Sequence, residues 1–212
     1  IIEGKPDGSY GPTENVDRAQ MAKMLSVIMN KGVDNSALYQ SVNSGLTDIT
    51  SHWAKGHINY CYTTGIIAGR GTGTFDPSAT VTALEAAKML LVAVGYDPAI
   101  EGFEGADWAI NVSVRADEQG IFEGFTKDLS APLNRDDAAL LIYNALDVEM
   151  IQSYTTNNYP IVYSDHRTIL SDKYGVIKVE GVVTANEWAI LDDDTDTALQ
   201  EGKTRIYNSD GI

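Results

Sequence analysis

Three tetrapeptides in this chain place a polar residue, a variable second residue and a second polar residue at the same spacing. They are Asp17-Arg18-Ala19-Gln20, Thr82-Ala83-Leu84-Glu85 and Asn134-Arg135-Asp136-Asp137. The first and fourth residues of each fit a helix N-cap and its N3 partner, the pattern of a capping box or a near variant of one. The second position carries different chemistry. A cation in the first helical turn opposes the helix macrodipole, at a cost of about 0.3–1 kcal/mol. Arg18 and Arg135 therefore need a counter-charge. One reading is an anionic ligand, drawn also by the free N–H groups of the helix start and held by a planar fork donor. The other is a salt bridge to one of the many neighbouring acids. Copy two has Ala83 in place of the arginine, and Asp136 and Asp137 partly neutralise Arg135. Copy one keeps Arg18 beside neutral Gln20 and is chemically the best equipped of the three.

Other side chains have two roles open to them. Trp53 and Trp108 fall at one repeat position, where core packing and stacking on a sugar face are both compatible with the residue type. Asp48 and Asp76 could accept from sugar hydroxyls or serve as turn and cap residues. His57 aligns with Val112 and Cys61 with Ala116, which makes both plain core positions. No GxSxG, HExxH or phosphate-binding loop occurs, and no catalytic residue, cofactor or metal site is expected. The acidic run Asp192–Asp196 lacks the spaced ligands and the glycine of an EF-hand, and a solvated loop is expected there.

The elements that carry these residues come from a repeat. Ile1–Pro12 lies over Ile66–Pro77 without a gap at an offset of 65, and Met21–Leu25 matches Ala86–Leu90. A third copy runs through Gly120-Ile121-Phe122-Glu123-Gly124, a loop about three residues shorter, and Leu133 to Leu146. Each unit reads as helix, turn-rich loop, helix. Ala54, His57, Ile58 and Cys61 form an apolar stripe with Gly65 as C-cap. Ala83, Ala86, Ala87, Leu90 and Val94 form a second stripe, repeated by Met21, Leu25 and Ile28 and by Ala138, Leu141, Ile142 and Ala145. A two-helix unit cannot bury such faces alone, so the three should pack about a shared axis. The chain opens in mid-motif, which predicts that the first helix of copy one lies upstream in a longer parent or comes from another chain.

Leu46-Thr47-Asp48-Ile49, His52-Trp53-Ala54, Gly65 to Gly69, Gly73 to Pro77 and Val81 to Glu85, taken in order, resemble the S-layer homology repeat over about residues 1 to 148. The resemblance implies three helix-loop-helix repeats in a pseudo-threefold bundle, and the strand-like stretches behind them make the whole a mainly α fold followed by a partial all-β domain. It divides the chain into a partial repeat and linker (1–45), repeats at 46–100 and 101–150, and a truncated β-rich segment (151–212). In that segment Tyr174–Thr184, Trp188–Leu191 and Thr204–Tyr207 read as strands. The implied function is non-covalent anchoring of an exported protein at the cell surface, through anionic, pyruvylated secondary cell-wall polysaccharide held in inter-repeat grooves. The implied ligand-binding residues are Arg18, Arg135, Trp53, Trp108, Asp48, Gly69 and Asp76. The alternative is a structural unit of a surface layer, joined to other S-layer subunits by protein contacts with little sugar binding.

The composition narrows the partners. A formal charge of −15, with no basic cluster, repels phosphate backbones, so no nucleic-acid partner is expected. No apolar run approaches the roughly 20 residues of a membrane helix, and no membrane insertion is expected. A single cysteine excludes an internal disulfide.

Overall fold

The computed structural model describes residues 4–5, 7–155, 161–190 and 199–208. It is mainly helical, with two small antiparallel sheets. The chain divides into two compact units, residues 1–175 and 176–212.

Among the described residues the first unit has six helices: α1 (Arg18–Met29), α2 (Lys55–Thr63), α3 (Ala83–Ala93), α4 (Trp108–Glu118), α5 (Arg135–Ala145) and α6 (Ile169–Tyr174). A 3-10 turn at Ser36–Tyr39 packs against α2. Strands β1 (Glu149–Thr155) and β2 (Ile161–Thr168) form an antiparallel pair between α5 and α6. The expected stripes do become the core. Met21, Leu25, Ile58, Cys61, Leu90, Val112, Ala116 and Leu141 are all buried in one continuous cluster.

The capping chemistry read from the tetrapeptides is present. Asp17 and Thr82 each complete a capping box, with Gln20 and Glu85, and the Asn134 side chain accepts from Asp137 N. Gly65, with φ +79° just beyond α2, takes the left-handed conformation that ends a helix.

The residues before the three N-caps form a closed ring. Val16 N donates to Leu133 O at 2.8 Å, Leu133 N to Val81 O at 2.7 Å, and Val81 N to Val16 O at 2.9 Å. All three side chains are buried. The next donors continue the exchange. Arg18 N and Ala19 N bond Ala79 O and Pro77 O, and Arg135 N and Asp136 N bond Glu14 O and Pro12 O. Leu84 N bonds Leu129 O. Each second helix thus begins against the loop of another copy.

Helix pairing also crosses between copies. The main helical partner of α2 is α1, and that of α4 is α3. α1, read from the sequence as a helix without its mate, is therefore covered by the first helix of the following copy. Gly56 makes the α2 contact with the 3-10 turn close: a Cβ there would lie 2.1 Å from Ser36 O. On α5, Tyr143 stands 72% exposed.

β1, β2 and α6 escaped the sequence reading. α6 docks on α1 with a hydrogen bond from Tyr174 Oη to Ile28 O at 3.0 Å, and its Ile169 is buried in the core. In the second unit, β3 (Val182–Asn186) pairs antiparallel with β4 (Thr204–Tyr207). The expected strand at Tyr174–Thr184 is shorter than its apolar run, because residues 175–181 form no ladder. Trp188 to Ile190 contributes one isolated bridge, Ala185 to Ile190. The acidic run Asp192–Asp196 lies outside the described residues.

Candidate functional site

A cleft of about 520 Å³ opens between α3, the start of α4 and the loop after α2, within the roughly 300–1,000 Å³ usual for ligand sites. Three cations line it: Arg18, Arg70 and Lys88. Glu85 and Glu104 are the acids, Trp108 and Phe103 the aromatics, and Gly69 part of the floor.

Arg18 enters this cleft from another repeat. It leaves the first turn of α1 and is only 4% exposed. Its Nε donates to Phe75 O at 2.8 Å and an Nη to Ala68 O at 2.9 Å. Its guanidinium lies 4.4 Å from the Phe75 ring centroid. Burial, and secondarily the charge of Arg70, lower its pKa to about 10, so it remains cationic at neutral pH. The same arrangement recurs once. Arg135 Nε donates to Tyr10 O at 2.8 Å, with the guanidinium 5.2 Å from the Tyr10 centroid. Tyr10 and Phe75 are equivalent at the 65-residue offset.

This geometry revises the reading of copy two as the site without its charge-matching donor. The loop of copy two receives Arg18 from copy one, because the cyclic packing sets each helix start against a neighbour's loop. It also revises the part assigned to the helix N–H groups. In α1 and α5 the first two donors are bonded to neighbouring carbonyls and the third to the N-cap side chain. An anion at either of those two helix starts would meet side-chain donors instead.

Arg70 and Lys88 were not singled out from sequence. Arg70 Nη1 pairs with Glu85 Oε1 at 3.0 Å, and the equivalent N3 acid of copy three, Asp137, pairs with Lys127 at 2.5 Å. Lys88 Nζ donates to Phe103 O at 2.6 Å and lies 5.8 Å from the Trp108 ring centroid. Burial lowers the Lys88 pKa. The usable signal was the repeat itself, since Lys88 falls on Lys23 and both are flanked on each side by two apolar residues.

The remaining expected residues disperse. Trp53 is 56% exposed and rests against His52 and His57, away from Trp108 in the cleft. Asp48 accepts from Phe75 N at 2.9 Å and Asp76 N at 2.7 Å. Burial works against its ionisation, but those backbone bonds prevail and its pKa is lowered. Asp48 thereby latches the loop whose Phe75 carbonyl holds Arg18. Asp76 holds that bend at φ +61°. Gly69 is sterically required, for a Cβ would lie 2.9 Å from Thr74 O.

One cluster has the residue types of an acyl-transfer triad. His57 Nδ1 is 2.7 Å from Ser26 Oγ, and Nε2 is 3.7 Å from Asp34 Oδ2. Ser26 is only 4% exposed, and its hydroxyl donates to Lys23 O at 2.9 Å. His57 Nδ1–H then donates to the hydroxyl, the reverse of what a general base does. The pair joins α1 to α2 in the core. Among the described residues no cluster of three or more metal-ligating side chains occurs, and no helix is long and apolar enough to cross a membrane.

The family model of the S-layer homology domain matches residues 1–22 and 45–87. Over its whole length the chain is 27% identical to a cell surface protein of Thermoanaerobacter kivui, covering 25% of that protein. It is 33% identical over 101 residues, 48% of this chain and 11% of the relative, to an S-layer protein of Bacillus licheniformis. It is 31% identical over 101 residues, 48% of this chain and 18% of the relative, to an uncharacterized cell wall amidase of Bacillus anthracis. The chain thus spans a quarter or less of each of these relatives.

Proposed function

This chain carries S-layer homology repeats of the extracellular bacterial cell surface, and on that premise we propose that it anchors an exported protein to the cell wall, non-covalently, by holding an anionic secondary cell-wall polysaccharide. The repeats occupy residues 1–45, 46–100 and 101–150 and close as a pseudo-threefold bundle. What supports the closure is the ring of hydrogen bonds joining Val16, Val81 and Leu133. The segment from 151 is read as a separate β-rich region.

The observation that carries the reading is the convergence of Arg18, Arg70 and Lys88 around Trp108 in one cleft. In a chain of net charge −15, a concavity where three cations outnumber its two acids, Glu85 and Glu104, favours an anion against the general field. A pyruvyl ketal on a sugar supplies a planar carboxylate for the guanidinium and ammonium donors, and the Trp108 ring offers a face to the sugar. Arg70 is released to such a carboxylate by exchange with Glu85. Arg18 sets the positive potential from the buried side. Gly69 keeps the floor low enough for the sugar to approach.

Sedimentation with intact cell-wall sacculi and with sacculi stripped of the polysaccharide tests the function. Anchoring predicts co-sedimentation with intact sacculi alone. Equal recovery with both, or self-association without either, favours the surface-layer assembly unit instead. That second reading draws on Ala83, which brings no guanidinium to the copy-three side.

A further inference from the structure

One wall of the cleft is a loop that another element holds in place. Residues 97–105 leave the end of α3 and supply Phe103, Glu104 and Gly105 to the cleft. From inside, Lys88 bonds Phe103 O, and Asn111 Nδ2 donates to Gly102 O at 2.9 Å. From outside, the grip comes from β1. Tyr154 Oη accepts from Asp97 N at 3.0 Å and donates to Glu101 Oε1 at 3.2 Å. The other Glu101 oxygen takes Arg115 Nε at 3.0 Å and Nη2 at 2.8 Å. The Arg115 guanidinium lies 5.3 Å from the Tyr96 ring centroid. Glu101 is 7% exposed, so this acid is sequestered for the loop and does not compete in the cleft.

β1 is anchored too. Ile151 N donates to Val94 O at 2.7 Å. Gly95, at φ +105°, permits the approach, since a Cβ there would lie 2.4 Å from Ile151 O. A single tyrosine hydroxyl therefore joins the start of the loop, its central acid and a strand that contributes nothing to the cleft lining.

We infer that Tyr154 is a positioning residue for the cleft: the β1–β2 hairpin sets the wall formed by Phe103, Glu104 and Gly105, and polysaccharide affinity depends on a strand that does not touch the ligand. The inference rests on the cleft reading above. Its physical basis is prepayment of order. A nine-residue loop with two glycines loses considerable entropy when fixed, and a scaffold that fixes it beforehand removes that cost from binding. Tyr154→Phe removes a donor and an acceptor together and leaves the ring in place.

The test compares wild type, Tyr154→Phe, Lys88→Met and the double variant, titrated with purified pyruvylated wall polysaccharide, with amide hydrogen exchange measured on each. Tyr154→Phe should bind about five- to tenfold more weakly, the scale of one or two lost hydrogen bonds. Amides of 99–105 should exchange faster while α1 and α5 keep their protection. The two substitutions should combine less than additively, because both act through the same loop. Wild-type protein that ignores the polymer overturns the cleft reading. Polymer binding that is equal in wild type and Tyr154→Phe, or strictly additive effects, overturns the positioning role alone. If Tyr154→Phe unfolds the hairpin, Glu101→Ala replaces it: Tyr154 loses its acceptor on the loop while its own ring and hydroxyl stay, and unchanged affinity with unchanged exchange again overturns the role.

Discussion

Arg18 and Phe75 are 57 residues apart and lie in different repeats, yet the guanidinium rests 4.4 Å from the ring centroid and its Nε bonds the phenylalanine's own carbonyl. The contact joins copy one to copy two and fixes a positive charge at the back of the cleft. Arg18 thus has a structural role, and the proposed function gives the same side chain a binding role.

Replacing Arg18 with alanine should lower both stability and wall retention. Two carbonyls lose a charged donor, at a cost of about 1.5–3 kcal/mol per charged hydrogen-bonding group. Chemical denaturation should report that loss, and retention on purified polymer should fall by about tenfold or more. Arg18→Lys should rescue little of either, since an ammonium cannot reproduce the fork. Full retention by Arg18→Ala would remove the residue from the site.

Glu85→Gln should strengthen anion binding. Glutamine keeps an acceptor for Thr82 N, now met by Glu85 Oε2 at 3.2 Å, while the competing charge on Arg70 disappears. A gain of about two- to fivefold matches the worth of a partly exposed ion pair. Isothermal titration with the polymer decides it, and a loss of affinity would argue that Glu85 itself contacts the sugar.

Gly56→Ala should be among the most damaging of small substitutions. The new methyl would stand 2.1 Å from Ser36 O, so either the 3-10 turn or α2 must move. Overpacking of this kind costs about 1–3 kcal/mol, visible as a lowered thermal midpoint. Gly65→Ala meets open space and should cost only the strain of its positive φ.

Stability should fall in two separate steps on acidification. Burial holds the pKa of His57 below its ordinary 6.5. The unfolded chain therefore takes up the proton first, and stability declines as pH drops from about 6.5 through the folded value. Lys23 adds to that depression, and Asp34 at 3.7 Å opposes it. The bonds that lower the Asp48 pKa from 3.8 stabilise the fold above that value, and this contribution is lost as pH falls below it. His57→Gln should flatten the first step in urea midpoints measured from about pH 7 to about pH 3 and leave the second.

The repeat, the apolar stripes and the N-caps were legible in the sequence because each is a local matter. A periodicity of 3.6 residues assigns Leu25, Ile58 and Leu90 to buried faces, and side-chain oxygens at Asp17, Thr82 and Asn134 start helices wherever those helices lie. The hairpin of β1 and β2 was not legible. Glu149–Thr155 alternates weakly, and what holds β1 is the end of α3, through Val94 O and the space above Gly95.

The sequence alone determined where the helices after Asp17, Thr82 and Asn134 begin and which faces they bury, since those properties depend on neighbours within a turn or two. Tertiary structure decided which unit each arginine serves. Arg18 belongs by sequence to copy one and by contact to copy two, because hydrogen bonds around Val16, Val81 and Leu133 pass every helix start to its neighbour. Arg18, Arg70, Lys88 and Trp108 come from separate segments, and only that exchange brings their charges to one cleft.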